Sequence, residues 1–175
     1  MREYRNLLNL VWILMAISLT NITTVQASTG TPSAARNGWL VAVFSLEDLA
    51  PSDSTKGLGD EIAATLTDGL ARSMKVRVVE RKRLKQILEE LKLSASGLVD
   101  EQTAIKAGKL LGANALLLGS FLKFKDSVKI NVRLVNTETG EILSTEKAAG
   151  KFSSLFDLEE ELSAGILARL HPHKP

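Results

Sequence analysis

Apolar positions along this chain fall into three rhythms, unbroken, fourfold and twofold, and each predicts a different element. "WLVAVFSL", residues 39–46, is almost continuously apolar between polar flanks, which suits a strand buried on both faces. After the loop "EDLAPSDSTKG", Leu58, Ile62, Leu66 and Leu70 recur at every fourth residue. That is one face of an amphipathic helix, with Asp60 and Glu61 in the first turn, where the dipole favours acids. "VRVVE", residues 76–80, has strand chemistry. In "RKRLKQILEELKL", Leu84, Ile87, Leu88 and Leu91 mark the core side of a second helix. "SASGLVDEQ" interrupts it, and Asp100 is placed to cap a third helix whose apolar side carries Ile105, Gly108 and Leu110 or Leu111, with Gly112 at its end.

The second half changes rhythm. "NALLLGSFLKF", residues 114–124, begins as a buried run and ends in alternation. A two-residue turn is predicted at Asp126 and Ser127, after which Val128, Ile130, Val132 and Leu134 share one face while Lys129, Asn131 and Arg133 face out. In "NTETG", Asn136 opens a turn and Gly140 supplies a positive φ, the pattern of a short hairpin loop with a bulge. "EILSTEKAAG" is the third strand of a meander, and Ser153 or Ser154 caps a last helix with Leu155, Leu158, Leu162 and Ile166 inward, stopped by His171 and Pro172. The order β-α-β-α-α-β-β-β-α predicts an α/β fold with α+β character, a mixed sheet covered by helices.

The N-terminus carries a different signal. Arg2 and Arg5 precede an apolar core, "LLNLVWILMAISL", and "VQA" offers small residues before a cut. Residues 1–27 read as a signal peptide cleaved after Ala27; the competing reading, an uncleaved anchor, needs roughly 18–20 apolar residues, and Asn9, Thr20 and Asn21 interrupt this run. Residues 28–38 read as a flexible leader, 39–170 as one α/β domain, and 171–175 as a tail. The expected location is periplasmic or secreted.

Composition narrows the chemistry. The formal net charge is +2 over 175 residues, which disfavours nucleic acid as the main partner, because phosphate binding needs a basic stripe. With no cysteine, thiolate catalysis, thiolate zinc sites and disulfides are excluded. "GLGDEIA" begins like a dinucleotide fingerprint, but about a dozen residues separate it from the strand and Ile62 stands at the third glycine position, so both glycines read as a flexible lead into the helix. No P-loop or nucleophile elbow is present, and both histidines lie in the terminal "HPHKP". Glu159, Glu160 and Glu161 read as a solvated helix face, since consecutive helical residues point about 100° apart. The expectation is therefore no catalytic, cofactor-binding or metal-binding residue. The basic start of the second helix, Arg81, Lys82, Arg83 and Lys85, opposes the dipole; it reads as solvated surface or as a partner-facing patch, with Asp53 and Lys56 of the preceding loop as further candidates.

Three blocks, residues 78–91, "SGLVD" with the helix running to Gly112 and Ala113, and "NVRLVNTETGEI", resemble the CsgG-like family of bacterial envelope proteins. That family includes the curli secretion component and is similar to LpoB-type activators of peptidoglycan synthases and to FlgO-type envelope proteins. The resemblance implies a non-enzymatic domain that docks envelope proteins or further copies of itself; contact with membrane is expected only by association. It also implies departures. The relatives' acylated cysteine has no counterpart here, and the two places where the curli component extends barrel hairpins, "KDSV" and "KAAGKFSSLFDL", are too short for membrane strands. The expected function is a protein-docking adaptor or assembly component, acting through "EDLAPSDSTKG", "KLSASGLVD" and the outer side of the meander. A small periplasmic ligand-binding protein or enzyme, and an accessory subunit of a secretion channel, remain as alternatives.

Overall fold

The computed structural model describes residues 38–91 and 100–170. The chain divides at Ala35 into two units, and all described residues belong to the second, Arg36–Pro175. The proposed signal segment, most of the leader, the "KLSASGLVD" loop up to residue 99 and the histidine-bearing tail therefore lie outside the described residues.

The element order is β1 (Trp39–Val43), β2 (Glu47–Asp48), α1 (Leu58–Arg72), β3 (Val76–Val78), α2 (Arg81–Glu90), α3 (Glu101–Leu110), β4 (Ala115–Phe124), β5 (Ser127–Asn136), β6 (Ile142–Lys151) and α4 (Leu155–Arg169). The strands form one mixed sheet in the order β3-β1-β4-β5-β6, with β2 beside β4. β1 pairs in parallel with β3 and β4, while β4, β5 and β6 form an antiparallel meander. This is the mixed α/β sheet that the change of rhythm predicts.

Helices cover the sheet from both sides, so its strands feed two cores. On the inner face, Val41, Val43, Leu117, Phe121 and the β5 set Val128, Ile130, Val132 and Leu134 pack with Ile62, Leu66 and Leu70 of α1 and Leu158, Leu162 and Ile166 of α4. On the outer face, Ala42, Phe44, Leu116, Leu118 and Val135 pack with Leu84, Leu88, Ala104 and Ala107 of α2 and α3. β1 contributes to both cores, which is why its sequence has no polar alternation. Each fully buried leucine or isoleucine contributes roughly 1.5–3 kcal/mol, so the four-residue spacing of α1 is a large part of what fixes that helix to the sheet.

Local details refine the sequence reading. β1 stops pairing with its neighbours at Val43, and β2, which the sequence pattern did not reveal, is a two-residue strand joined to Ser120 and Phe121 of β4. Asp100 caps α3 as predicted, its side chain accepting from the Thr103 amide at 3.1 Å. Hydrogen bonds from Thr103 hold that carboxyl below its usual range. Of the two leucines offered for the core side of α3, Leu111 is buried and Leu110 is exposed. Ser154 stands at the N-cap of α4 but makes no side-chain capping bond, because the chain enters through a 3-10 turn at Phe152–Ser154.

The β4–β5 turn is corrected by one residue. Phe124 pairs with Ser127, so Lys125 and Asp126 form the turn, with Lys125 at φ 55°. Moving the turn one residue later would slide β5 by two residues along β4, pairing Phe121 with Val132 instead of Ile130, and would keep the same faces, so the alternation of β5 does not by itself fix the position of the turn. At the other end of β5 the "NTETG" hairpin behaves as read. Asn136 Oδ1 accepts from the amides of Glu138 (2.8 Å) and Thr139 (3.1 Å), Gly140 has φ 72°, and a register shift lies between Leu134 and Val135. The Phe152 amide donates to the Asp126 carbonyl at 2.7 Å, so the β4–β5 turn and the β6–α4 turn are neighbours at one end of the sheet.

Candidate docking face

α1 and α2 follow the parallel strands β1 and β3, so both helices begin at the carboxyl ends of those strands. The segment from Glu47 to Gly57 lies over this end, tied down at several points. The Leu49 amide donates to Phe121 O (2.9 Å), Asp48 Oδ1 accepts from the Ala50 amide (2.9 Å), and the Ser52 amide donates to Thr55 Oγ1 (2.9 Å) above a buried Thr55. Gly57, at φ 81°, turns the chain into α1. Gly59 packs so closely on β1's continuation that a Cβ there would collide with the Leu46 carbonyl oxygen, while the Leu46 amide donates to Gly59 O at 3.2 Å. That glycine is thus a close-approach residue and not a flexible lead into the helix.

The next residue, Asp60, joins three elements. Its Oδ1 accepts from the Ser45 hydroxyl and from Arg81 Nη2, and Lys85 Nζ lies 3.9 Å away. The basic start of α2 opposes its own dipole, and a carboxylate from the first turn of α1 compensates it. Because two cations and a hydroxyl converge on one oxygen, the cluster reads as a structural tie between helices on opposite faces of the sheet.

Between the loop and α1 lies a cleft of about 380 Å³, lined among others by Glu47, Asp48, Asp53, Lys56, Asp60 and Phe121. Asp53 and Lys56 are exposed on its wall. The candidate residues therefore divide. Arg81 and Lys85 are drawn into the Asp60 cluster, Asp53 and Lys56 line the cleft beside it, and Lys82 and Arg83 are exposed on α2 outside the cleft lining. Among the described residues, no three histidine, aspartate or glutamate side chains are grouped to hold a metal ion.

One polar residue departs from expectation. Glu160 and Glu161 are exposed as read, but Glu159 is only 4 % exposed, between α4 and α1. Burial pushes its carboxyl up to about 7; the Thr65 hydroxyl opposes this and the charge of Glu61 adds to it. Its Oε1 has no hydrogen-bond partner. The signal was present in the small residues nearby: Ser163 stands one turn after Glu159, and Gly69 faces it so closely that a Cβ would press on Ser163 Oγ.

An open mixed sheet with helices on both faces and a loop-walled cleft at the carboxyl ends of its parallel strands defines a mixed α/β domain. The chain matches the family described as "Curli production assembly/transport component CsgG" over residues 33–129, more than half its length, and it belongs to that family. No curated protein matches it. Among solved structures it is similar to the C-terminal domain of LpoB from Salmonella enterica, at 24% identity over 68% of this chain and 87% of that one, with a TM-score of 0.55. The same domain from Escherichia coli gives 23% identity over 65% and 83% of the two chains and a TM-score of 0.54. Lipoprotein GNA1162 from Neisseria meningitidis gives 17% over 65% and 80%, with a TM-score of 0.51. At these identities the likeness is one of fold. Among the described residues, no helix is long and apolar enough to cross a membrane.

Proposed function

We propose that this chain is an exported, non-enzymatic component of the cell envelope that docks other envelope proteins through the face formed by the Glu47–Gly57 segment and the start of α2. Its membership in a family described by assembly and transport carries the reading. Residues 1–27 act as the export signal, 28–38 as a leader, and 39–170 as the docking domain. Asp53, Lys56, Lys82 and Arg83 are the contact residues, while Arg81 and Lys85 hold the face in place through Asp60. Partners include envelope proteins and further copies of the chain.

A photo-crosslinker placed at Lys56 or Lys82 should capture a discrete envelope protein in living cells, and the same group at Lys109, exposed on α3, should not. Recovery of the chain unprocessed in the cytoplasm, or equal capture from all three positions, would overturn the proposal. A second reading, a small-ligand site, draws on the cleft itself. About 380 Å³ lies within the usual size range for such sites, at the carboxyl end of β1, where β3 and β4 flank it on opposite sides. Under that reading Asp53→Ala and Lys56→Ala would alter small-molecule binding and leave crosslinking from Lys82 unchanged.

A further inference from the structure

The outer face of the meander is covered at one end only. Near α3, Leu116 and Leu118 are buried against that layer, and Arg133 Nη2 meets Glu101 at 3.0 Å. Toward the Lys125–Asp126 turn the same face is open, and its side chains change character. Leu122 pairs across the ladder with Lys129 and Lys129 with Ala149; Phe124 pairs with Ser127 and Ser127 with Lys151. Leu122 is 39% exposed and Phe124 69%, and together with Lys129, Ala149 and Lys151 they line a shallow groove of about 440 Å³. Lys147 pairs with Asn131 in the next row, and Lys125 holds its ammonium 5.5 Å from the centre of the Phe124 ring.

The charge here is one-sided. Lys125, Lys129, Lys147 and Lys151 surround the apolar strip, and they outnumber the acids set against them, Asp126 in the turn and Glu47, which pairs with Ser120 in the row of Lys147. Glu146 faces the other side of the sheet, where it meets Arg169 at 3.5 Å. No arginine lies in this region, although protein interfaces favour arginine and are depleted in lysine. Flexible lysines that keep their charge in water around a shallow aromatic and aliphatic strip are instead what a lipid headgroup layer accommodates.

We propose that this end of the sheet rests on an anionic lipid surface, with Phe124 and Leu122 at the acyl boundary and the four lysines among the headgroup phosphates. The contact is peripheral: it adds no membrane-spanning strand, and it borders the docking face at the same end of the sheet, where β2 lies beside Ser120 and Phe121 of β4. It would orient the chain with the Lys125–Asp126 turn against the lipid.

The chain contains no cysteine, so Ser127→Cys gives a single attachment point for a polarity-sensitive fluorophore in the full-length protein. Vesicles of mixed phosphatidylcholine and phosphatidylglycerol should shift the label to the blue at low salt and release it at high salt; phosphatidylcholine alone should not. Each Lys→Gln change among the four should weaken partitioning about fivefold. The label placed instead at Ile142→Cys, exposed where β5 pairs with the other end of β6, should stay silent. An unmoved label at position 127, or a response that survives replacement of all four lysines, overturns the proposal. So does a response to polyglutamate without one to anionic vesicles, since it would mark an acidic protein as the occupant.

Discussion

Asp60 and Glu159 are both carboxylates near the starts of inner-face helices, yet the fold treats them in opposite ways. Asp60 is half-exposed and receives a hydroxyl and two cations. Glu159 is buried, with one oxygen unpartnered and its carboxyl raised to about 7. The first carboxylate joins elements, whereas the second is enclosed between two helices beside Thr65, Gly69 and Ser163, where burial favours its protonated form. Charge in a helix's opening turns therefore says little about role until the facing element is known.

The sharpest way to break the contrast is to displace Asp60 without touching it. Gly59→Ala sets a methyl group against the Leu46 carbonyl; it should pull Asp60 away from Arg81 and cost about 3 kcal/mol, read from denaturant unfolding. Asp60→Ala, which leaves the half-buried Arg81 without its acid, should cost roughly 2 kcal/mol, and Asp60→Asn less.

Glu159→Gln should move stability the other way, and only at neutral and alkaline pH. The folded chain keeps this proton up to about pH 7, while the unfolded chain releases it near 4.5. The group's contribution is thus most favourable below about 4.5, falls as pH rises toward 7, and is constant above. The variant should melt on the order of 5 °C higher than the parent at pH 8, with no such gain at pH 4.5. Arg72 of α1 and Glu160 of α4 line a second, shallow cleft with Glu159, apart from the docking cleft, and Glu61 acts on the group, so their single variants should shift the midpoint of this profile without abolishing it. The smallest effect belongs to the exposed Arg133–Glu101 pair, where a double-mutant cycle should return about 0.5 kcal/mol and so calibrate what the Asp60 cluster adds.

Much of the fold was legible because periodicity reports burial. The four-residue spacing of α1, the alternation of β5 and the turn chemistry of Asn136 and Gly140 each had one solution. β2 escaped because two residues carry no rhythm, and its pairing depends on where Phe121 lies in β4. Glu159 escaped because three glutamates in a row resemble a wet face, although the small residues Gly69 and Ser163 bring two helices close enough to bury one of them. At the candidate face, Arg81 was visible as a base at the wrong end of a helix dipole. Its partner was hidden in a neighbouring helix, and only the parallel arrangement of β1 and β3 brings the two helix starts to the same end.

The hydrogen bond from Phe152 to Asp126 has a consequence for how such a domain can be elaborated. It makes the β4–β5 and β6–α4 reversals share one exit from the sheet. Sequence inserted at either site would emerge beside sequence inserted at the other, with the ten-residue strands β4, β5 and β6 as ready stems. Two extensions grafted there would begin as neighbours, and their pairing would ask for no rearrangement of the domain that carries them.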